Sequence, residues 1–296
     1  MRFALVLAIV WITSSPAARA QPAVPAERPI VVQGAMGIET SSLAARLAGA
    51  RTEQIGAWVF WHGTIDGYPV IVSKTLKGMT NAAAATVIAI ERFRPIAILN
   101  QGTAGGLDAS LRLHDIVVGT AAVNTGAYRT PYRGAGTGSN PADWVPLDQT
   151  APDGSTAKER KPARFAADEP LLAAARSVRA SHTRGRIVEG AIGSSDMWND
   201  EVDRLLRFNK EFGTMVEEME TASAAQIAAQ LGVPFLGIRV VSDNATANIA
   251  YDPTTAATCQ DYVYEVVKAY IARLRRPSVE HADARSRAPA RLRKAS

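Results

Sequence analysis

Residues 216–245 read VEEMETASAAQIAAQLGVPFLGIRVVSDNA, and this stretch decides the fold class. Three carboxylates, Glu217, Glu218 and Glu220, open it, where a helix N-terminus favours negative charge. Residues 222–230 are rich in strong helix formers, and Gly232 followed by Pro234 ends the run. Residues 233–241 are nearly all apolar and partly β-branched, the composition of a strand buried on both faces. The pattern predicts a helix over 218–231 and a strand over 234–241. Asp243 then emerges just past the carboxyl end of that strand, the side on which open α/β sheets bind ligands. Arg239 lies inside the strand, and a buried charge requires a partner.

Outward from this unit, apolar runs alternate with helical stretches. Residues 30–33, 70–73, 96–100, 116–119 and 187–191 read as strands; 41–48, 81–93, 170–180, 200–208 and 256–274 read as helices. That rhythm predicts an α/β fold with helices on both faces of a sheet. Residues 129–164 interrupt it with Gly, Pro, Thr and Asp, and read as a long loop or insertion. The chain of 296 residues, 47% hydrophobic, suits one sizeable domain.

The two ends have a different composition. Arg2, an apolar run over 3–12 and Ala18-Arg19-Ala20 form a leader over 1–20, which predicts a periplasmic or secreted protein with no membrane segment once the leader is removed, with an uncleaved anchor as the alternative. The single cysteine, Cys259, leaves such a protein without an internal disulfide. From residue 273 onward eight Lys or Arg face two acids, which reads as a disordered basic tail. With leader and tail removed, the formal charge falls from +5 to −3, so a nucleic-acid partner is not expected. The four histidines are scattered, and no metal or cofactor is called for.

Glu218-Met219-Glu220, then Pro234-Phe235, Arg239 and Ser242-Asp243, resembles the signature of the 5′-methylthioadenosine/S-adenosylhomocysteine nucleosidases, within the purine nucleoside phosphorylase/uridine phosphorylase superfamily. Residues 100–107, NQGTAGGL, followed by Asp115-Ile116-Val117-Val118, look like the family's glycine loop and next strand; Gly34-Ala35-Met36 with Glu39 looks like its N-terminal loop. The resemblance runs in order from about residue 30 to about residue 272. It implies a three-layer α/β/α domain over 21–272 whose mixed sheet is partly barrel-like, and a homodimer acting on a small nucleoside.

It also implies roles. Cleaving an N-glycosidic bond calls for a proton donor at the base, an activated water below the sugar and a grip on the ribose hydroxyls. Asp243 matches the family's acid to purine N7, and burial would keep it protonated. Glu39 matches the group that activates water, with an ordinary first-turn helix carboxylate as the alternative. The superfamily's phosphorylases carry a phosphate-binding arginine in that N-terminal loop; Gly37 and Ile38 stand here instead, which favours water as the nucleophile. Glu220 is expected to hold the ribose 2′- and 3′-hydroxyls with Met219 against the sugar, and Arg239 to orient a carboxylate such as Glu39, with a purely structural buried ion pair as the alternative. Glu218, Thr103, Ala104, Gly105 and Ser242 complete the expected contacts. Trp198 stands where the family stacks an aromatic on the purine, with a buried structural tryptophan as the alternative. Asn199 replaces an aliphatic neighbour of the base. Two other readings remain open: a phosphate-dependent phosphorylase, and a non-catalytic nucleoside-binding or storage protein, whose plant examples resemble the Gln101-Gly102-Thr103 variant.

Overall fold

The computed structural model describes residues 27–147 and 163–276. The expected leader, the centre of the 129–164 loop and nearly all of the basic tail lie outside the described residues. In chain order the elements are β1 (Ile30–Gly34), α1 (Gly37–Ala45), β2 (Ala48–Ile55), β3 (Trp58–Ile65), β4 (Tyr68–Lys74), α2 (Met79–Phe93), β5 (Ala97–Gly106) and β6 (Ile116–Asn124). They continue with β7 (Tyr128–Arg129), β8 (Val145–Pro146), β9 (Arg164–Ala166), α3 (Glu169–Ser177), β10 (Ile187–Ser194), α4 (Val202–Phe212), β11 (Thr214–Glu218), α5 (Thr221–Gln230), β12 (Phe235–Asp243) and α6 (Thr255–Leu274).

One mixed sheet organises the molecule. β12 pairs in parallel with β5 and antiparallel with β6. β6 continues to β10, and β10 to β11. β11 then returns to β5 through Val216 opposite Gly106 and Glu217 opposite Gly105, which closes a five-stranded barrel. β5 also pairs with β1, from which β4, β3 and β2 extend as an open wing. Successive strand residues face opposite sides, so Val32 and Leu99 pack with α1, α3 and α6, while Val31 and Ile98 pack with α2 and α5. The result is the expected three-layer α/β/α arrangement around a partly barrel-like sheet.

Three local expectations give way. The helix predicted over 218–231 begins only at Thr221, and Glu217 and Glu218 end strand β11. Closing the barrel gives residues 214–218 backbone partners on β10 and β5, and this pairing overrides the charge argument for a helix. The glycine loop after residue 100 is the second half of β5. The β2–β3 hairpin went unpredicted because β2 is mostly exposed and lacks the alternation that marks a half-buried strand.

Candidate active site

β5 is the floor of a cleft of about 810 Å³, counting the space open to solvent. Its glycines let neighbouring side chains lie against the backbone. A Cβ on Gly102 would stand 2.6 Å from Oε1 of Glu39, and one on Gly105 would stand 3.0 Å from Oδ2 of Asp243. The strand therefore brings residues from opposite ends of the chain to one surface.

Glu39 comes from the first turn of α1, just past β1, and is buried. Its Oε2 accepts the backbone N–H of Ala35 at 2.9 Å and of Met36 at 3.0 Å. Its Oε1 accepts the backbone N–H of Thr103 at 2.9 Å and the Thr103 hydroxyl at 3.1 Å. Four donors from two elements hold this carboxylate in one orientation. Thr103 thus serves the cleft through Glu39.

Asp243 is the last residue of β12 and faces the cleft beside Gly105. The Ser242 hydroxyl donates to its Oδ1 at 2.8 Å, and burial pushes its carboxyl above the ordinary aspartate range. A carboxyl held above its ordinary range, with no donor to Oδ2 among the described residues, suits protonation of a leaving base.

Glu220 caps α5. Its Oε1 accepts the Gly78 backbone N–H at 2.8 Å, and burial together with the nearby Glu218 carboxylate raises its pKa well above the glutamate range. Arg239 takes the alternative arrangement, a structural buried ion pair, with Glu218 rather than Glu39 as its partner. Arg239, 1% exposed, pairs with Glu218 and donates to the Asn100 backbone and side chain. Glu218 also accepts the N–H groups of Glu220 and Thr221 and the Ser194 hydroxyl. These bonds are spent inside the protein, so Arg239 anchors the β11–α5 turn beneath the cleft and makes no hydrogen bond to Glu39. Glu218 reaches the cleft wall with its acceptors already occupied.

The remaining wall carries Met219, Ala104, Trp198 and Asn199. Trp198 is 61% exposed and meets Tyr251 edge-on with ring centroids 5.5 Å apart, so it is no buried structural tryptophan. Asn199 donates from Nδ2 to Oε1 of Glu217 at 2.5 Å. Sequence reasoning did not place Glu217, Tyr251 or Lys77 in the cleft. Reading 214–218 as a strand would have found Glu217; Tyr251 and Lys77 carried no sequence signal.

Residues 29–272 match the family described as "Phosphorylase superfamily". A 5′-methylthioadenosine/S-adenosylhomocysteine nucleosidase of Anoxybacillus flavithermus is 33% identical over 227 residues, 75% of this chain and 89% of that protein. The nucleosidase of the same name from Bacillus thuringiensis is 31% identical over 230 residues, 75% of this chain and 90% of its own length. Among solved structures, the Neisseria meningitidis nucleosidase in complex with methylthio-immucillin-A is similar at 28% identity and a TM-score of 0.66, covering 82% of this chain and 99% of that one. The Colwellia psychrerythraea nucleosidase in complex with adenine is similar at 28% identity and a TM-score of 0.63, covering 82% and 96%. By sequence, sheet topology and the residues gathered on β5, the chain belongs to the phosphorylase superfamily and, within it, to the 5′-methylthioadenosine/S-adenosylhomocysteine nucleosidases.

Proposed function

We propose that this protein hydrolyses the N-glycosidic bond of adenosine-type nucleosides such as 5′-methylthioadenosine or S-adenosylhomocysteine and releases adenine. One observation carries the assignment of roles. Glu39, Glu220 and Asp243 arise from three separate segments of the chain, yet all three line one cleft. Asp243 donates its proton to purine N7 as the bond breaks, which makes the departing base neutral. Glu39, fixed by its four donors, orients a water below the sugar and takes its proton as the water attacks the anomeric carbon. Glu220 accepts hydrogen bonds from the ribose hydroxyls, Met219 packs against the sugar, and Trp198 covers the base from the cleft mouth.

Water is the nucleophile in this scheme, supported by the absence of an arginine in the loop between Gly34 and Glu39. Purified protein in phosphate-free buffer releases adenine from 5′-methylthioadenosine, followed by chromatography of the free base; release only after phosphate is added would overturn hydrolysis. The acid must be protonated to work, so kcat/KM falls as pH rises through the raised pKa of Asp243.

Two further proposals rest on less. Export is supported by the leader pattern of residues 1–20 and is tested by cell fractionation with mass of the mature N-terminus. A homodimer is supported by the family resemblance and is tested by light scattering.

A further inference from the structure

Glu217 is 8% exposed and stands in the cleft wall, yet only one of its oxygens is engaged. Oε1 accepts the Ser195 hydroxyl at 2.9 Å and the Asn199 amide. Oε2 is buried and has no hydrogen-bond partner among the described residues. A buried carboxyl oxygen without a partner is costly, and in a ligand cleft it marks a place where the ligand supplies the missing bond.

The sheet register says which part of the ligand that is. Gly105 pairs with Asp243 on β12 on one side and with Glu217 on β11 on the other. Directly paired residues project from the same face of a sheet, so Asp243, whose Oδ2 would lie 3.0 Å from a Cβ on Gly105, and Glu217 rise on the same face from the two strands that flank Gly105. Two strand spacings separate their Cα atoms by roughly 10 Å. A planar base lying across that backbone has one edge toward each of the two side chains. With N7 at Asp243, the opposite edge of the base meets Glu217.

We propose that Glu217 is the residue that reads the pyrimidine edge of the purine, donating to N1 of adenine as a neutral acid and accepting N1–H of a 6-oxopurine as a carboxylate. The proposal rests on the nucleosidase assignment for the placing of N7 at Asp243. The charge on Glu217 then sets the choice of base. Burial raises its pKa, helped by Glu218 on its own strand and opposed by the Ser195 and Asn199 hydrogen bonds and by Arg204 of α4. Tyr128 of β7 feels the Glu217 charge from outside the cleft lining, while Asp243, Tyr251, Lys77, Glu39 and Glu220 are the other titratable groups that line the cleft. In the acid range the neutral form favours adenine. As pH rises through the Glu217 pKa, the balance shifts toward N1–H bases.

Calorimetric titration of the full-length protein with free adenine and with hypoxanthine, from about pH 5 to 9, tests the idea without any turnover. The adenine-to-hypoxanthine affinity ratio is expected to fall about tenfold or more across that range, the worth of one hydrogen bond to a charged group. Glu217→Gln keeps the shape and offers both a donor and an acceptor at every pH. In that variant the part of the pH dependence due to residue 217 disappears, and whatever persists comes from the other titratable groups of the cleft and from ionisation of the bases themselves. Glu217→Val should lower affinity for both bases and leave their ratio as flat as in the Gln variant. An identical profile in wild type and Glu217→Gln would overturn the proposal. Normal base binding with no phosphate-free adenine release would overturn the hydrolase assignment alone.

Discussion

The two ends of the cleft are built on opposite principles. At the Glu39 end, both carboxylate oxygens are held by donors from the loop between β1 and α1 and from β5. At the Asp243 end, Asp243 and Glu217 each keep one oxygen without a donor among the described residues, and burial raises the pKa of both. A group that directs an attacking water gains from being immobile, because orientation is its contribution. A group that must hand over a proton gains from an environment that keeps the proton available. The contrast teaches that one strand, β5, can serve both needs by offering amides at Thr103 and bare backbone at Gly105.

The contrast can be broken at either end. The largest effect is expected for Asp243→Asn, which keeps the shape but removes the acid: kcat should fall by about 10²–10⁴ with circular dichroism unchanged. An active variant would remove Asp243 from the role of acid. Arg239→Leu comes next and acts on the support beneath both ends. It leaves Glu218 buried without its partner and should cost about 3–5 kcal/mol of stability, read by chemical denaturation.

Gly102→Ala sharpens the comparison at the Glu39 end. The added Cβ would meet Oε1 at 2.6 Å and force the carboxylate aside, for a loss of up to about 10²-fold in kcat with small change in adenine binding. Equal losses in both would mean that the two ends are not independent.

The smallest effect is thermodynamic. The folded-state pKa of Glu220 lies above its unfolded value. Its contribution is therefore fully present below the unfolded pKa and is lost as pH rises through the folded one. Glu220→Gln removes this loss, so the melting temperature of wild type should drop relative to the variant as pH rises from about 5 to 9. A constant difference across that range would show that Glu220 does not titrate there.

Much of this arrangement was legible in the sequence, for reasons visible at particular residues. Strand β12 announced itself by an unbroken apolar run, and Asp243 by its place just beyond. Glu39 was found through its glycine-flanked loop. The purpose of Arg239 was not legible, because a sequence shows that a buried charge needs a partner but not which carboxylate supplies it. Glu217 was hidden for a related reason. Its strand is five residues long, and the interactions that make it a strand come from β5 and β10, more than twenty residues away in the sequence. Non-local pairing of this kind leaves no periodicity to read.

The place of β5 in both the barrel and the wing has one more consequence. Glu39 is referenced to Gly102 and Thr103, while Asp243 and Glu217 are referenced to Gly105, all within four consecutive residues. Side-chain direction alternates along a strand, so inserting a single residue between Thr103 and Gly105 would turn one end of the cleft to the far side of the sheet while leaving the other in place. The chemistry is thus tied to a backbone phase: the count of residues along this rail cannot change without parting its two ends.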